Sequence, residues 1–324
     1  MFIRRRVPEK GPLKAAVIGV GAFGRHHCAK YRAIAGVELF AVADTSAEVR
    51  HSIAAQYGVL AVADWRELLG KVDLVSVCSP AITHAAIVRA FLKAGAHVLV
   101  EKPIATTVAE AEELVALARK TGLILTVGHQ ERFVFARTGL LDQDVAPIEI
   151  QCWRRGPWTG RGDDVSAVLD LMIHDLDLVH TLVQSPVVEV TARGAVQYGP
   201  HADEVAAQVT FANGTVAHLD TSRIADNRKR GFRAVYPDGV VEIDFLTREI
   251  VNTTPRPLVE LEMGDPLGDA VASFVAAVRG EIATVVLPEQ AAQAVETALL
   301  IEEAADASLG VVAQAQLRRM AATA

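Results

Sequence analysis

The first 130 residues alternate short apolar runs with amphipathic stretches. Leu13–Val20, Val37–Ala43, Val59–Val62, Val72–Cys78, His97–Val100 and Leu123–Val127 are apolar and of strand length. Between them Ala22–Ala35, Ala47–Gln56, Trp65–Leu69, Ile82–Ala94 and Val108–Lys120 read as helices, three of them closed by Gly58, Gly95 and Gly122. Repeated strand–helix units of this size predict a parallel sheet with helices on both faces. From Ile148 the pattern changes. Ile148–Trp153, Val187–Val196, Val205–Phe211, Thr215–Thr221, Arg233–Tyr236 and Val240–Phe245 read as strands, with Asn213-Gly214 and Asp238-Gly239 as hairpin turns. Consecutive hairpins predict a mostly antiparallel sheet, open on one face. Ala270–Arg279 and Pro288–Ser308 read as helices, and the Ala-rich residues 313–324 as a frayed tail. The fold class is α/β: a doubly wound parallel sheet of the Rossmann kind, then an α+β domain on an open sheet. The expected division is into two domains, 1–130 and 131–324.

The sharpest local signal lies between the first two strands. Gly19, Gly21 and Gly24 follow the first strand in G-x-G-x-x-G spacing, a helical stretch comes next, and the second strand ends on Asp44, twenty residues past Gly24. Each glycine has a mechanical reason: Gly19 for the tight turn, Gly21 for close approach to a pyrophosphate, Gly24 for packing of helix on strand. The free N–H groups at the helix start face the phosphates. Asp44 stands where a carboxylate accepts from a ribose diol. In such sheets ligands bind outside the carboxyl ends of the strands, so Ser79-Pro80, Glu101-Lys102-Pro103 and His129-Gln130 line one rim.

A second signal is the helical stretch Asp163–Leu182. Asp163 or Asp164 can cap it, and it is apolar over most of its circumference. Asp170, His174 and Asp177 fall at i, i+4 and i+7 and share one face. That face is either the solvent side or a working surface, and a helix this apolar has little exposed side to spare.

Composition narrows the classes. At 324 residues, 51% hydrophobic, the chain can bury two cores, and a net charge of −7 argues against nucleic acid as main partner. No stretch approaches eighteen uncharged apolar residues, so no membrane span is expected. The Leu13–Val20 run leads straight into the glycine turn and fails as a signal peptide; Arg4-Arg5-Arg6 reads as a solvated arm. Cys28, Cys78 and Cys152 fit buried thiols in a reducing cytoplasm, with no disulfide frame and no metal site.

VIGVGAFGRHH, the CSPAITH run ending at His84, VLVEKPIA around Lys102, VGHQERF from Val127 and LDLMIHDLDL from Leu169 occur in this order. In them the chain resembles the Gfo/Idh/MocA oxidoreductases, the glucose–fructose oxidoreductase and inositol dehydrogenase family. The likeness covers residues 13 to about 180, EKP being its most specific piece. It implies that Lys102 and His174 are catalytic, with Asp170 as supporting carboxylate, against a nicotinamide. It also implies a cofactor site of Gly19, Gly21, Ala22, Phe23, Gly24, Asp44, Ser79, Pro80, His84, Glu101, Lys102 and Gln130, and a homo-oligomer, dimer or tetramer. The chemistry suits these residues. Oxidising a secondary alcohol needs a base for the hydroxyl proton and a donor for the developing oxyanion. A lysine and a histidine can fill those roles in either order. Asp44 accepts from a free 2′-hydroxyl and repels a 2′-phosphate, which favours NAD.

The substrate reading is coarser. Trp153-Arg154-Arg155-Gly156-Pro157-Trp158, with Arg161 close by, is either a phosphate- or carboxylate-gripping segment or a domain-linking loop. The expected substrate site is Lys102, Arg154, Arg155, Arg161, Asp170 and His174. Within the family, an arginine-bearing compact form looks most like members that oxidise the 3-hydroxyl of UDP-N-acetylglucosamine toward the 2,3-diamino sugars of lipid A. Rival expectations are a dehydrogenase of free sugars or inositols, a cofactor-sensing regulatory protein without chemistry, and a flavin or other nucleotide at the glycine turn.

Overall fold

The apolar run that opens the described chain becomes a central strand. The computed structural model describes residues 11–142, 144–160, 165–198, 200–259 and 264–322. In chain order it forms β1 (Leu13–Ile18), α1 (Gly24–Ala33), β2 (Val37–Ala43), α2 (Ala47–Tyr57), β3 (Leu60–Val62), β4 (Leu74–Val77), α3 (His84–Ala94), β5 (His97–Val100), α4 (Val108–Thr121) and β6 (Leu125–Val127). The six strands are parallel in the order β3-β2-β1-β4-β5-β6, so the chain reverses its winding beside β1. The inner strands are buried on both faces, which is why they read as continuous apolar runs. Helix ends follow local chemistry: Ser46 and Thr107 accept from the backbone N–H groups of Val49 and Glu110, and Gly58 and Gly122 close their helices in the left-handed region.

The rest of the chain adds α5 (Glu131–Thr138), β7 (Glu149–Arg155), α6 (Ile173–Val183), β8 (Val187–Ala195), β9 (Glu204–Phe211), β10 (Val216–Ser222), β11 (Lys229–Tyr236), β12 (Gly239–Asp244), β13 (Ile250–Asn252), α7 (Pro266–Arg279) and α8 (Pro288–Ala322). Its sheet has seven strands in the order β13-β12-β11-β7-β10-β9-β8. All pairs are antiparallel except β7 with β10, which run parallel in the middle. Hairpins build both flanks, and β7, from earlier in the sequence, is inserted between them. Its residues alternate in burial along the strand, with Ile150, Cys152 and Arg154 on the core side.

Several boundaries differ from expectation. Helix α5 and strand β13 carry too few patterned residues to be read, and α8 runs past Ser308 to Ala322. Strand β7 extends through Arg154 and Arg155, so those arginines sit on a sheet rather than a linking loop. Two compact units result, Met1–Phe133 with Met263–Ala292, and Val134–Glu262 with Gln293–Ala324. The single cut at 130 therefore leaves α7 on the wrong side. Its buried face, Leu267, Val271, Phe274, Val275 and Val278, completes the core formed by Val17, Cys28, Tyr31, Leu39, Val42 and Ile53. Truncating the fully buried Phe274 would cost about 3–5 kcal/mol. Among the described residues no helix is long and apolar enough to cross a membrane.

Candidate active site

The glycine turn is built as its spacing requires. Gly19 has φ +80°, and a Cβ there would stand 2.7 Å from the Ser79 nitrogen. A Cβ at Gly24 would stand 1.8 Å from the Gly19 carbonyl oxygen, so α1 touches the turn only because the side chain is missing. Gly21 is different: nothing lies within 4 Å of where its Cβ would be. That open space beside an uncapped helix start, with no acidic residue in the first turn, fits the pyrophosphate of a dinucleotide. Phe23, 41% exposed, ends the turn. The Asp44 carboxylate accepts from the Val20 N–H at 2.9 Å and the Ser46 N–H at 2.9 Å. It thereby fixes the turn, and each oxygen keeps a lone pair for a ribose hydroxyl.

The turns after β4 and β5 lie at the same carboxyl edge of the sheet. Ser79 is half-buried and shares a hydrogen bond with Thr83 at 2.7 Å, while Pro80 is exposed. Glu101 is buried, Lys102 half-buried, and the Lys102–Pro103 peptide is cis. Gln130 donates to Glu101 at 3.3 Å. His84, expected among the cofactor contacts, is instead buried between backbone groups. Its Nδ1 lies 2.7 Å from the Pro103 carbonyl oxygen and its Nε2 2.8 Å from that of Ser79. Burial lowers its pKa, against the pull of the two carbonyls. His84 therefore acts on the site by joining the two rim turns.

In the second unit a turn of π-helix, Val168–Met172, precedes α6. Its cap is Ser166, whose hydroxyl oxygen accepts from the N–H groups of Val168 at 3.1 Å and Leu169 at 3.2 Å. Asp163 and Asp164, expected to cap it, lie outside the described residues. Ser166 itself donates to Glu302, whose pKa is raised by burial. Asp170 and His174 are half-buried, whereas Asp177 is 1% exposed. The three residues of the i, i+4, i+7 face are thus not equally accessible: Asp170, within the π-turn, and His174, just after it, are half-buried, and Asp177, one turn further along α6, is buried. Such turns recur at functional positions.

The arginine segment departs most from expectation. Arg154 is buried, its Nη2 2.7 Å from Asp175, the residue next to His174. Arg155 projects to the other face and is shared by Glu204, at 2.6 Å, and Asp220. Both guanidinium groups are engaged by carboxylates of their own unit, which makes them parts of the framework; Arg161 lies outside the described residues. Trp158 stacks on Tyr198 with centroids 5.0 Å apart, and Arg223 lies over its ring at 5.1 Å. Tyr198 and Arg223 gave no signal in sequence because they lie distant from the tryptophan along the chain. The thiols of Cys28 and Cys152 are buried and that of Cys78 half-buried; burial pushes Cys28 up to about 12.

Residues 13–129 match the family model described as the oxidoreductase family, NAD-binding Rossmann fold, and residues 141–242 match the GFO/IDH/MocA C-terminal domain. UDP-N-acetylglucosamine 3-dehydrogenase from Acidithiobacillus ferrooxidans is 36% identical over 239 residues, 74% of this chain and 76% of that protein. Its solved structure superposes with a TM-score of 0.86 and 32% identity, covering 93% of this chain and 100% of the other. Myo-inositol 2-dehydrogenase from Thermotoga maritima is 29% identical over 66% of this chain and 69% of its own length. Scyllo-inositol dehydrogenase from Lactobacillus casei, solved with NAD(H) and scyllo-inositol, shares the fold with a TM-score of 0.77 at 19% identity, over 90% of this chain and 96% of that one.

Proposed function

The chain belongs to the GFO/IDH/MocA oxidoreductase family, with an NAD-binding Rossmann domain at residues 13–129, and on that footing we propose that it oxidises the 3-hydroxyl of UDP-N-acetylglucosamine. The observation that carries the substrate is the 36% identity, over three-quarters of each chain, with a relative bearing that name. Intact Lys102, Asp170 and His174 speak for chemistry rather than cofactor sensing.

NAD, when bound, supplies the hydride acceptor. The glycine turn and the start of α1 would hold its pyrophosphate, Asp44 its adenosine ribose, and Ser79, Glu101 and Gln130 the rim beyond. Lys102 and His174 share the work on the substrate hydroxyl: one removes its proton, the other donates to the oxygen as charge develops. Asp170 supports the histidine. The 3-keto nucleotide sugar so formed suits amination toward the 2,3-diamino sugars of lipid A, in the cytoplasm, by a homo-oligomer.

A second reading, oxidation of a free sugar or inositol, is favoured by one observation: Arg154 and Arg155 are both already occupied, leaving no described arginine of that segment for a diphosphate. Comparing kcat/KM for UDP-N-acetylglucosamine, N-acetylglucosamine and myo-inositol with NAD separates the two. The proposal expects the nucleotide sugar to lead by a factor of about 10² or more. Equal or better turnover of a free sugar or inositol would replace it with the second reading.

A further inference from the structure

Beneath the first sheet's rim a line of buried polar side chains ends on Glu101. The Tyr31 hydroxyl lies 2.8 Å from Ser76 Oγ. Ser76 Oγ lies 3.0 Å from His27 Nδ1, and His27 Nε2 lies 3.0 Å from Glu101 Oε1. Tyr31, Ser76 and His27 are each 0% exposed. These are costly groups to bury unless every one finds a partner. The four residues come from three places in the chain, Tyr31 and His27 from α1, Ser76 from β4 and Glu101 from just past β5, so adjacency in sequence does not explain the line.

Donor counting gives the line a direction. Among the described residues Tyr31 Oη has no partner but Ser76, so its proton goes to Ser76 Oγ. Ser76 then gives its own proton to His27 Nδ1, and the remaining ring proton, on Nε2, goes to the Glu101 carboxylate. In the reverse direction the Tyr31 proton has no acceptor and an unprotonated ring nitrogen faces an anion. Burial holds the Tyr31 pKa above its ordinary value, which keeps it a donor. Gln130 adds a second donor to the same oxygen at 3.3 Å, and only the absence of a side chain at Gly128 leaves room for the carboxylate, since a Cβ there would stand 2.5 Å from Oε1. Oε1 is saturated while no donor among the described residues reaches Oε2. The Glu101 side chain is 11% exposed.

We propose that Tyr31, Ser76 and His27 are positioning residues: a directed hydrogen-bond relay that holds the Glu101 carboxylate fixed, so that its Oε2 accepts from the nicotinamide riboside half of the dinucleotide. The proposal rests on the reading that the rim beside Lys102 takes that half of the cofactor. A carboxylate held by two donors on one oxygen cannot rotate away, and it presents one oxygen to one hydrogen-bond donor, a ribose hydroxyl or a carboxamide N–H. In the sequence, Ser76 is the polar interruption of the apolar run Leu74–Val77.

The test compares two ligands of the whole protein, NADH and ADP-ribose, which lacks the nicotinamide. H27L removes the donor to Glu101 and should weaken NADH binding about tenfold while leaving ADP-ribose within about twofold. H27Q, whose amide N–H replaces Nε2–H, should restore NADH binding. Equal losses for both ligands would reduce His27 to a structural role and overturn the proposal, as would no loss for either. Should H27L not fold, the ring nitrogens of His27 in the ¹⁵N-histidine-labelled wild type decide: a neutral ring protonated at Nε2 supports the relay, and protonation at Nδ1 contradicts it. Neither readout uses a sugar, so absence of turnover on UDP-N-acetylglucosamine would sink the substrate reading alone.

Discussion

The Arg154 guanidinium meets the Asp175 carboxylate at 2.7 Å and 3.2 Å, tying the middle strand of the second sheet to the helix turn that carries His174. Both side chains are buried, so the pair is a clamp whose two halves depend on each other. Removing the arginine strands the Asp175 charge in the core, and neutralising the aspartate takes from Arg154 the carboxylate that grips it through two nitrogens. R154M or D175N alone should lower stability by about 3–5 kcal/mol, read by chemical denaturation, whereas R154M with D175L should recover most of it. Single variants as stable as wild type would show that the clamp contributes nothing.

Gly21 and Gly24 should separate binding from folding. G21A adds a methyl to open space at the phosphate turn, so melting temperature should hold while NADH affinity falls about tenfold or more. G24A drives a methyl into the Gly19 carbonyl and should lower both. The contrary result is G21A binding NADH normally.

Asp44 has two duties, fixing the turn through Val20 and Ser46 and excluding a 2′-phosphate. D44A should shrink the preference for NAD over NADP by about tenfold or more, measured as the ratio of dissociation constants. An unchanged ratio would remove the exclusion role.

His97 sets an acid limit on stability. Burial lowers its pKa from the ordinary 6.5 to about 4, and its Nδ1 accepts from the Ile124 N–H at 2.9 Å, a bond that needs the neutral ring. The unfolded chain takes up this proton near pH 6.5, the folded chain only near 4. The unfolded state therefore binds more protons between those values, and stability falls as pH drops through that window, by about 3 kcal/mol, and is complete above it. H97N keeps the acceptor and should flatten this part of the stability-against-pH curve; an unchanged slope would exclude His97 as its source.

Much of the first unit was legible because its signals are local. A G-x-G-x-x-G turn, an apolar strand on either side and Asp44 at a fixed distance constrain one another within a few dozen residues. What escaped depends on partners far apart in sequence. Arg154 and Arg155 look alike in a row, yet alternation along β7 sends one into the core to Asp175 and the other to Glu204 and Asp220. His84 carries a family motif, but its bonds run to the Ser79 and Pro103 carbonyls, which no pattern of side chains reveals. Helix α7 belongs with the first core because its apolar face fits α1, not because of its place in the chain. The π-turn that holds Asp170 and precedes His174 leaves no mark in composition.

The central claim is that this chain moves a hydride from carbon 3 of the sugar to NAD with Lys102 and His174 handling the proton. UDP-N-acetylglucosamine carrying deuterium at carbon 3, incubated with the protein and NAD, tests it directly by mass spectrometry of the NADH formed. The account predicts deuterium in the NADH from the wild type and transfer slowed by about 10²-fold or more in K102A and in H174A, both still binding NADH. No label in the NADH from a wild type that binds the cofactor, or wild-type transfer rates in both variants, would contradict it.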